Sequence, residues 1–243
     1  MNFDNKTVLV TGANRGIGKA LVEALLKKNV KKVYACSRDI KNVPDFGDSR
    51  VVLIQLDISD STQIQNATRN ARDTQILINN AGVISPGGLF DCDLKRDMEI
   101  NYFSTIQMMK AFVPVLEQNP EARIINIASI ASYVNFPFIA GYSASKAALY
   151  SATQAARIEL RSKGIAVHAV NPGAIDTDMN KGSTMDMTSP TEVAFSILNE
   201  VEKEVEDIIP DKIGRGMYEM WERSPKELEA FSRKMYEELT AGK

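Results

Sequence analysis

The chain has 243 residues, of which 44% are hydrophobic and 25% charged, with a formal net charge of −2. That length suits a single α/β unit with one substantial core, and the near-neutral balance gives no electrostatic reason to bind nucleic acid or an anionic membrane, leaving a small molecule as the expected partner. No run of about 18 apolar residues is long enough to span a membrane, and the start Met1-Asn2-Phe3-Asp4 lacks a basic segment followed by an apolar one, so the expected location is the cytoplasm.

From the start to about position 180, short β-branched runs alternate with longer amphipathic segments, the pattern of βαβ units around a parallel sheet. The first predicted strand, 7–10, runs into Thr11-Gly12-Ala13-Asn14-Arg15-Gly16-Ile17-Gly18, which opens a predicted helix at 16–28. A glycine-rich turn between strand and helix lets the backbone approach a pyrophosphate, whose charge meets the amides of the helix N-terminus. The spacing is G-x-x-x-G-x-G rather than G-x-G-x-x-G, so a plain tight turn is the competing interpretation.

The second predicted strand, 32–36, ends in Cys36-Ser37-Arg38-Asp39. A site selective for NAD usually carries an acidic side chain at this point, where it repels a 2′-phosphate. Ser37 is small and uncharged, and Arg38 and Arg15 offer two guanidinium groups to one phosphate, so NADP(H) is expected over NAD(H). Asp39 is the dissenting residue and is expected to face solvent. Cys36 and Cys92 form no CxxC pair and suit two free thiols in a reducing compartment.

The third strand is predicted at 51–56, followed by Asp57-Ile58 and a helix at 61–72; the fourth, at 75–79, leads into Asn79-Asn80-Ala81-Gly82 and one long helix at 94–116 that contains Asn101. The fifth, at 123–128, ends at Ser129, and Tyr142 stands 13 positions later with Lys146 one helical turn beyond it, on a helix predicted at 142–161. The sixth, at 166–171, carries the sole histidine, His168, in an alternating run that assigns it a structural role. With one histidine, Ser-His-Asp catalysis and most transition-metal sites are not expected. Residues 180–190, rich in Ser, Thr, Gly and Met, read as a mobile lid, followed by helices at 191–206 and 225–239, with 207–210 at most a very short strand.

These residues together resemble the short-chain dehydrogenases/reductases in their ordinary form of about 250 residues. The resemblance runs from about Lys6 to Met179 and rests on separate motifs in the family's order: the TGxxxGxG turn, Asp57-Ile58, Asn79-Asn80-Ala81-Gly82, Asn101, Ser129 with Tyr142 and Lys146, and Asn171-Pro172-Gly173-Ala174-Ile175-Asp176-Thr177. It implies a Rossmann-type doubly wound sheet with helices on both faces, one dinucleotide-binding catalytic domain over residues 1–243, and reversible reduction of a ketone or aldehyde to an alcohol. Ser129, Tyr142, Lys146 and Asn101 would be the catalytic group. Gly12, Asn14, Arg15, Gly16, Ile17, Gly18, Ser37, Arg38, Asp57, Ile58, Asn79, Ala81, Gly82, Pro172, Gly173, Ile175 and Thr177 would join Tyr142 and Lys146 in holding the cofactor. A phenol near pKa ~10 needs help to act at neutral pH, and the Lys146 ammonium and the nicotinamide charge are expected to favour the phenolate.

The family's usual C-terminal strand and Gly-rich stretch, which help to build tetramers, are not apparent, so a homodimer or monomer is expected. Phe136, Phe138, Met179, Met185 and Met187 lie in segments expected to line the cleft and suggest an apolar carbonyl or alcohol substrate. Enoyl-thioester reduction would need Lys seven positions after the tyrosine, where Leu149 stands. An NADP(H)-binding regulatory protein without efficient turnover is the alternative function, and a methyltransferase would leave the Tyr-Lys pair unexplained.

Overall fold

The computed structural model describes residues 2–119, 121–182 and 184–241. Strands form where the β-branched runs stand: β1 Thr7–Thr11, β2 Lys32–Ser37, β3 Val51–Gln55, β4 Ile76–Asn79, β5 Arg123–Ile127, β6 Ala166–Val170 and β7 Asp207–Ile208. They make one sheet in the order β3-β2-β1-β4-β5-β6-β7, and every pair is parallel. The chain winds outward from β1 through β2 to β3, then returns to lay β4 on the other side of β1. A crevice opens beyond the carboxyl ends of β1 and β4, where the winding reverses.

The helices are α1 Gly16–Lys27, α2 Ser61–Asn70, α3 Leu94–Met98, α4 Ser104–Leu116, α5 Ala140–Leu160, α6 Pro190–Glu202, α7 Lys212–Arg223 and α8 Pro225–Thr240. Strand side chains alternate between the two faces of the sheet. Val8 and Val10 therefore pack with Leu21 of α1 and Ile197 of α6 on one face, while Leu9 packs with Met108 and Phe112 of α4 on the other. Burial on both faces explains why β1, β4 and β5 read as near-continuous apolar runs, while edge strand β3 leaves Val52 and Leu53 exposed.

Four expectations change. The stretch 207–210 does contain a strand, since Ala169 and Val170 of β6 pair with Asp207 and Ile208, so the seventh strand is present though only two residues long. The single helix expected at 94–116 is interrupted by a π-helical turn at Glu99–Phe103 that carries Asn101. The helix expected to reach residue 206 stops at Glu202, because Glu204 adopts a left-handed φ of +63° that turns the chain into β7. Finally, α7 occupies a segment for which no helix was expected. His168 is buried as anticipated, with Nδ1 2.6 Å from the Val205 carbonyl oxygen.

Candidate functional site

A cleft of about 470 Å³ lies over the carboxyl ends of the central strands. Its floor is built by backbone approach. Gly12 has φ +66°, and a Cβ there would lie 3.0 Å from the Ala81 Cα. A Cβ on Gly18 would stand 2.1 Å from the Gly12 carbonyl oxygen, so α1 can begin this close beneath the turn only with glycine at that position. The Thr11 hydroxyl accepts the amides of Asn80 and Ala81 at 2.9 and 3.0 Å, and Asn80 Nδ2 donates to the Thr11 and Gly12 carbonyls at 2.9 and 3.2 Å. The ends of β1 and β4 are thereby locked together under a trough bordered by Gly12, Gly16 and Ala81.

At one end of the trough, Ser37 Oγ donates to the Asp39 carbonyl at 3.1 Å. The Asp39 carboxylate is turned to its own chain, accepting the Lys41 amide and Asn42 Nδ2, each at 3.0 Å, although the residue still borders the cleft. Arg15 and Arg38 both line this end, and Arg15 forms an exposed ion pair with Asp178 at 3.3 Å. Asp57 lines the cleft while its carboxylate accepts the amide and hydroxyl of Ser59 at 3.0 and 2.7 Å. The cap of α2 is Asp60 rather than Asp57.

At the other end stand Ser129, Tyr142 and Lys146. Ser129 follows β5, accepts the Ala131 amide at 3.1 Å and donates to the Pro172 carbonyl at 3.4 Å, with Tyr142 lining the same end of the cleft. Lys146, 4% exposed, lies with Nζ 5.6 Å from the centre of the Tyr142 ring and donates to the Ile127 carbonyl at 2.8 Å. Burial pulls the Lys146 ammonium down to about 8. It also pushes the Tyr142 phenol above its ordinary value, with Ser129 opposing. Desolvation of the phenolate exceeds what the pocket's own side chains return, before any charge from a bound nicotinamide is counted.

Three of the named residues do not line the cleft. Gly18 lies beneath the turn, Asn79 is buried and donates to Asn126 Oδ1 at 2.8 Å inside the sheet, and Asn101 sits behind the wall. Asn101 accepts the Val83 amide at 2.8 Å and donates to the Val83 carbonyl and Ser145 Oγ, each at 2.9 Å, while its own carbonyl accepts Thr105 Oγ1 at 3.0 Å. All the other residues named for cofactor or chemistry line the cleft.

The Pro172-Gly173 segment roofs the reacting end. The Pro172 carbonyl accepts the Ile130 amide at 2.8 Å. Asp211, 1% exposed, accepts the amides of Gly173 and Gly214, each at 2.8 Å, and so ties this segment to the first turn of α7. A Cβ on Gly173 would meet the Gly214 nitrogen at 2.6 Å. Sequence reasoning passed over Asp211, although an aspartate three positions before a glycine matches a helix N-cap followed by its N3 residue. It also missed Asn80 and Thr11, both inside motifs already recognised. Phe136, Phe138, Met179 and Met185 border the cleft, Met187 does not, and α7 and α8 add Met217 and Met235. Of the expected lid, Ser183 lies outside the described residues; near its far end the Thr188 carbonyl accepts the Asp176 amide at 3.1 Å.

A family model for short chain dehydrogenases matches residues 6–188. A 3-oxoacyl-[acyl-carrier-protein] reductase of Salmonella typhimurium is 31% identical over 195 residues, covering 76% of this chain and 80% of that protein. A probable short-chain type dehydrogenase/reductase of Helicobacter pylori is 31% identical over 180 residues, covering 71% of this chain and 66% of that one. A short chain dehydrogenase from Burkholderia cenocepacia, solved in complex with NADP, superposes with a TM-score of 0.91 at 33% identity, covering 96% of this chain and 99% of that one. The chain therefore belongs to the short-chain dehydrogenase family, NAD(P)-dependent oxidoreductases acting on alcohol and carbonyl groups.

Proposed function

We propose that this protein is an NADPH-dependent reductase that converts a ketone or aldehyde to an alcohol, with Tyr142 as proton donor. The observation that carries this reading is the convergence of Ser129, Tyr142 and the buried Lys146 at the end of a glycine-floored trough. The trough suits a dinucleotide, because Gly12 and Gly18 let the turn after β1 and the start of α1 pack closely enough to present backbone rather than side chains to the cleft.

NADPH, when bound, supplies the hydride. Ser129 holds the substrate oxygen through its hydroxyl, and Tyr142 delivers a proton to that oxygen as the C–H bond forms. The raised phenol suits this direction, since the hydroxyl stays protonated at neutral pH. Lys146 stabilises the phenolate left behind and reaches the ribose hydroxyls on the nicotinamide side. Asn101 acts from behind the wall, where it fixes Val83 and Ser145. Arg15 and Arg38 bind the 2′-phosphate; the Arg15–Asp178 pair is exposed, worth at most ~1 kcal/mol, and yields readily to a phosphate.

The bordering Phe and Met side chains support an apolar substrate. The two free cysteines suit a reducing compartment, and cytoplasmic residence is part of the proposal. A homodimer or monomer is the proposed assembly, because α7 and α8 stand where a Gly-rich tetramer segment would follow β7. Assaying a panel of aldehydes, ketones and secondary alcohols with NADPH and with NADH tests the whole reading. Turnover with NADPH is expected; cofactor binding without turnover across the panel would favour the regulatory alternative.

A further inference from the structure

Asp97 is fully buried, yet no step proposed above uses it. It lies on α3 four positions before Asn101, so the two side chains share one helix face. Both grip the same cleft-side segment. Asp97 accepts the hydroxyl and the amide of Ser85 at 2.9 and 3.3 Å, as Asn101 holds the amide and carbonyl of Val83. Both also meet α5 one turn apart. Asn101 donates to Ser145 Oγ, and a Cβ on Gly141 would lie 3.0 Å from Asp97 Oδ2. Gly141 immediately precedes Tyr142, and Ser145 immediately precedes Lys146. Two parallel rungs, Ser85–Asp97–Gly141 and Val83–Asn101–Ser145, thus run from the cleft wall to the backbone beside each reacting side chain.

We infer that Asp97 is a positioning residue whose buried carboxylate sets the proton balance of the Tyr142–Lys146 pair across the first turn of α5. This rests on Tyr142 being the proton relay. The groups around Asp97 are Arg96 and Asp93 on its own helix, Cys92 beside Gly141, Ser85 on the cleft wall, and Tyr142 and Lys146 on α5. Burial raises the Asp97 carboxyl, while the two Ser85 hydrogen bonds and Arg96 favour its anion. Held there, the negative charge favours the protonated forms of both Tyr142 and Lys146, countering the burial that lowers the Lys146 ammonium. Asp97 and Lys146 are both buried, where the effective dielectric is lower than in water, so the charge is felt beyond direct contact.

The test uses Asp97→Asn, which keeps the shape and removes the charge, and Asp97→Ser as a smaller neutral second variant. In the cofactor-free protein, carbon-13 NMR of labelled lysine, with Lys146→Arg to assign the resonance, reads the ammonium directly. Its midpoint is expected to fall by about 0.3 to 1 unit in either variant. With NADPH and the best carbonyl of the panel, the alkaline limb of kcat/KM should move to lower pH by a similar amount. A Lys146 titration and rate profile that superimpose on the wild type, whatever happens to the Tm, overturn the inference. Failure of both variants to fold assigns Asp97 to the scaffold and overturns it too. Turnover by Tyr142→Phe would instead sink the proton relay, and the NMR midpoint reads Asp97 separately from that result.

Discussion

Lys146 shows most clearly how stability is exchanged for chemistry at a single residue. Its amine is buried and held near 8, so at neutral pH the folded protein carries a cation that burial disfavours. Both folded and unfolded chains are protonated there, and the penalty is therefore fully present; it fades only as pH rises from the folded value toward the unfolded one of about 10.4. Lys146→Met is expected to raise stability by roughly 2–3 kcal/mol in urea denaturation at neutral pH while abolishing turnover and weakening NADPH. Unchanged or lower stability would show that the Ile127 hydrogen bond outweighs desolvation. The cofactor's phosphate end makes a second residue-scale case. Under the proposed function, two charged contacts of roughly 1.5 kcal/mol each would give about a hundredfold preference for NADPH. Ser37→Asp with Arg38→Leu is expected to shift preference toward NADH, chiefly through weaker NADPH binding by isothermal calorimetry. Wild-type protein that uses NADH at least as well would mean that Asp39, despite its contacts with Lys41 and Asn42, governs the site.

At the scale of elements, the sequence made the central machinery legible because each piece has its own period or its own required glycine. Strands β1 to β6 appear at their expected places, and α5 begins only two residues before Tyr142, the expected first residue. The C-terminal third was harder to read. Helix α7 carries Gly214 and Gly216, residues of low helix propensity, and its glycine at 214 is explained only by a contact distant in sequence: a Cβ would press on Asp211 Oδ1 at 2.9 Å and on the Gly173 nitrogen at 3.0 Å. Strand β7 is too short for any alternation to register. The π turn at Glu99–Phe103 changes hydrogen-bond partners without disturbing the apolar periodicity, so a helix was expected but not its interruption. The Asp211 latch follows from this packing. Asp211→Ala would leave two buried amides without acceptors, with an expected cost of about 2–5 kcal/mol in stability and weaker NADPH binding through a loosened Pro172-Gly173 roof. Full retention of both, by thermal denaturation and cofactor titration, would show that α7 is held by Met217 and its apolar neighbours alone.

For the whole molecule, pH dependence of folding gives a check away from the cleft. Burial lowers the His168 imidazole below its usual value. Above about pH 6.5 both folded and unfolded chains hold it neutral, and its contribution is intact; as pH falls, the unfolded chain takes up a proton that the folded chain resists, so stability declines. Urea midpoints are expected to fall between about pH 7.5 and about pH 5.5, with a shallower fall in His168→Gln. An equal slope in that variant would move the effect to other groups. In the proposed function, Tyr142 passes the proton in an NADPH-driven reduction. Its most direct test compares wild type and Tyr142→Phe in NADPH consumption matched to alcohol formation, with the NADPH Kd of each measured alongside. The phenylalanine variant is expected to lose at least ~100-fold in rate while binding NADPH within a few-fold of wild type. A variant that reduces the same carbonyl at near wild-type rate would contradict the account.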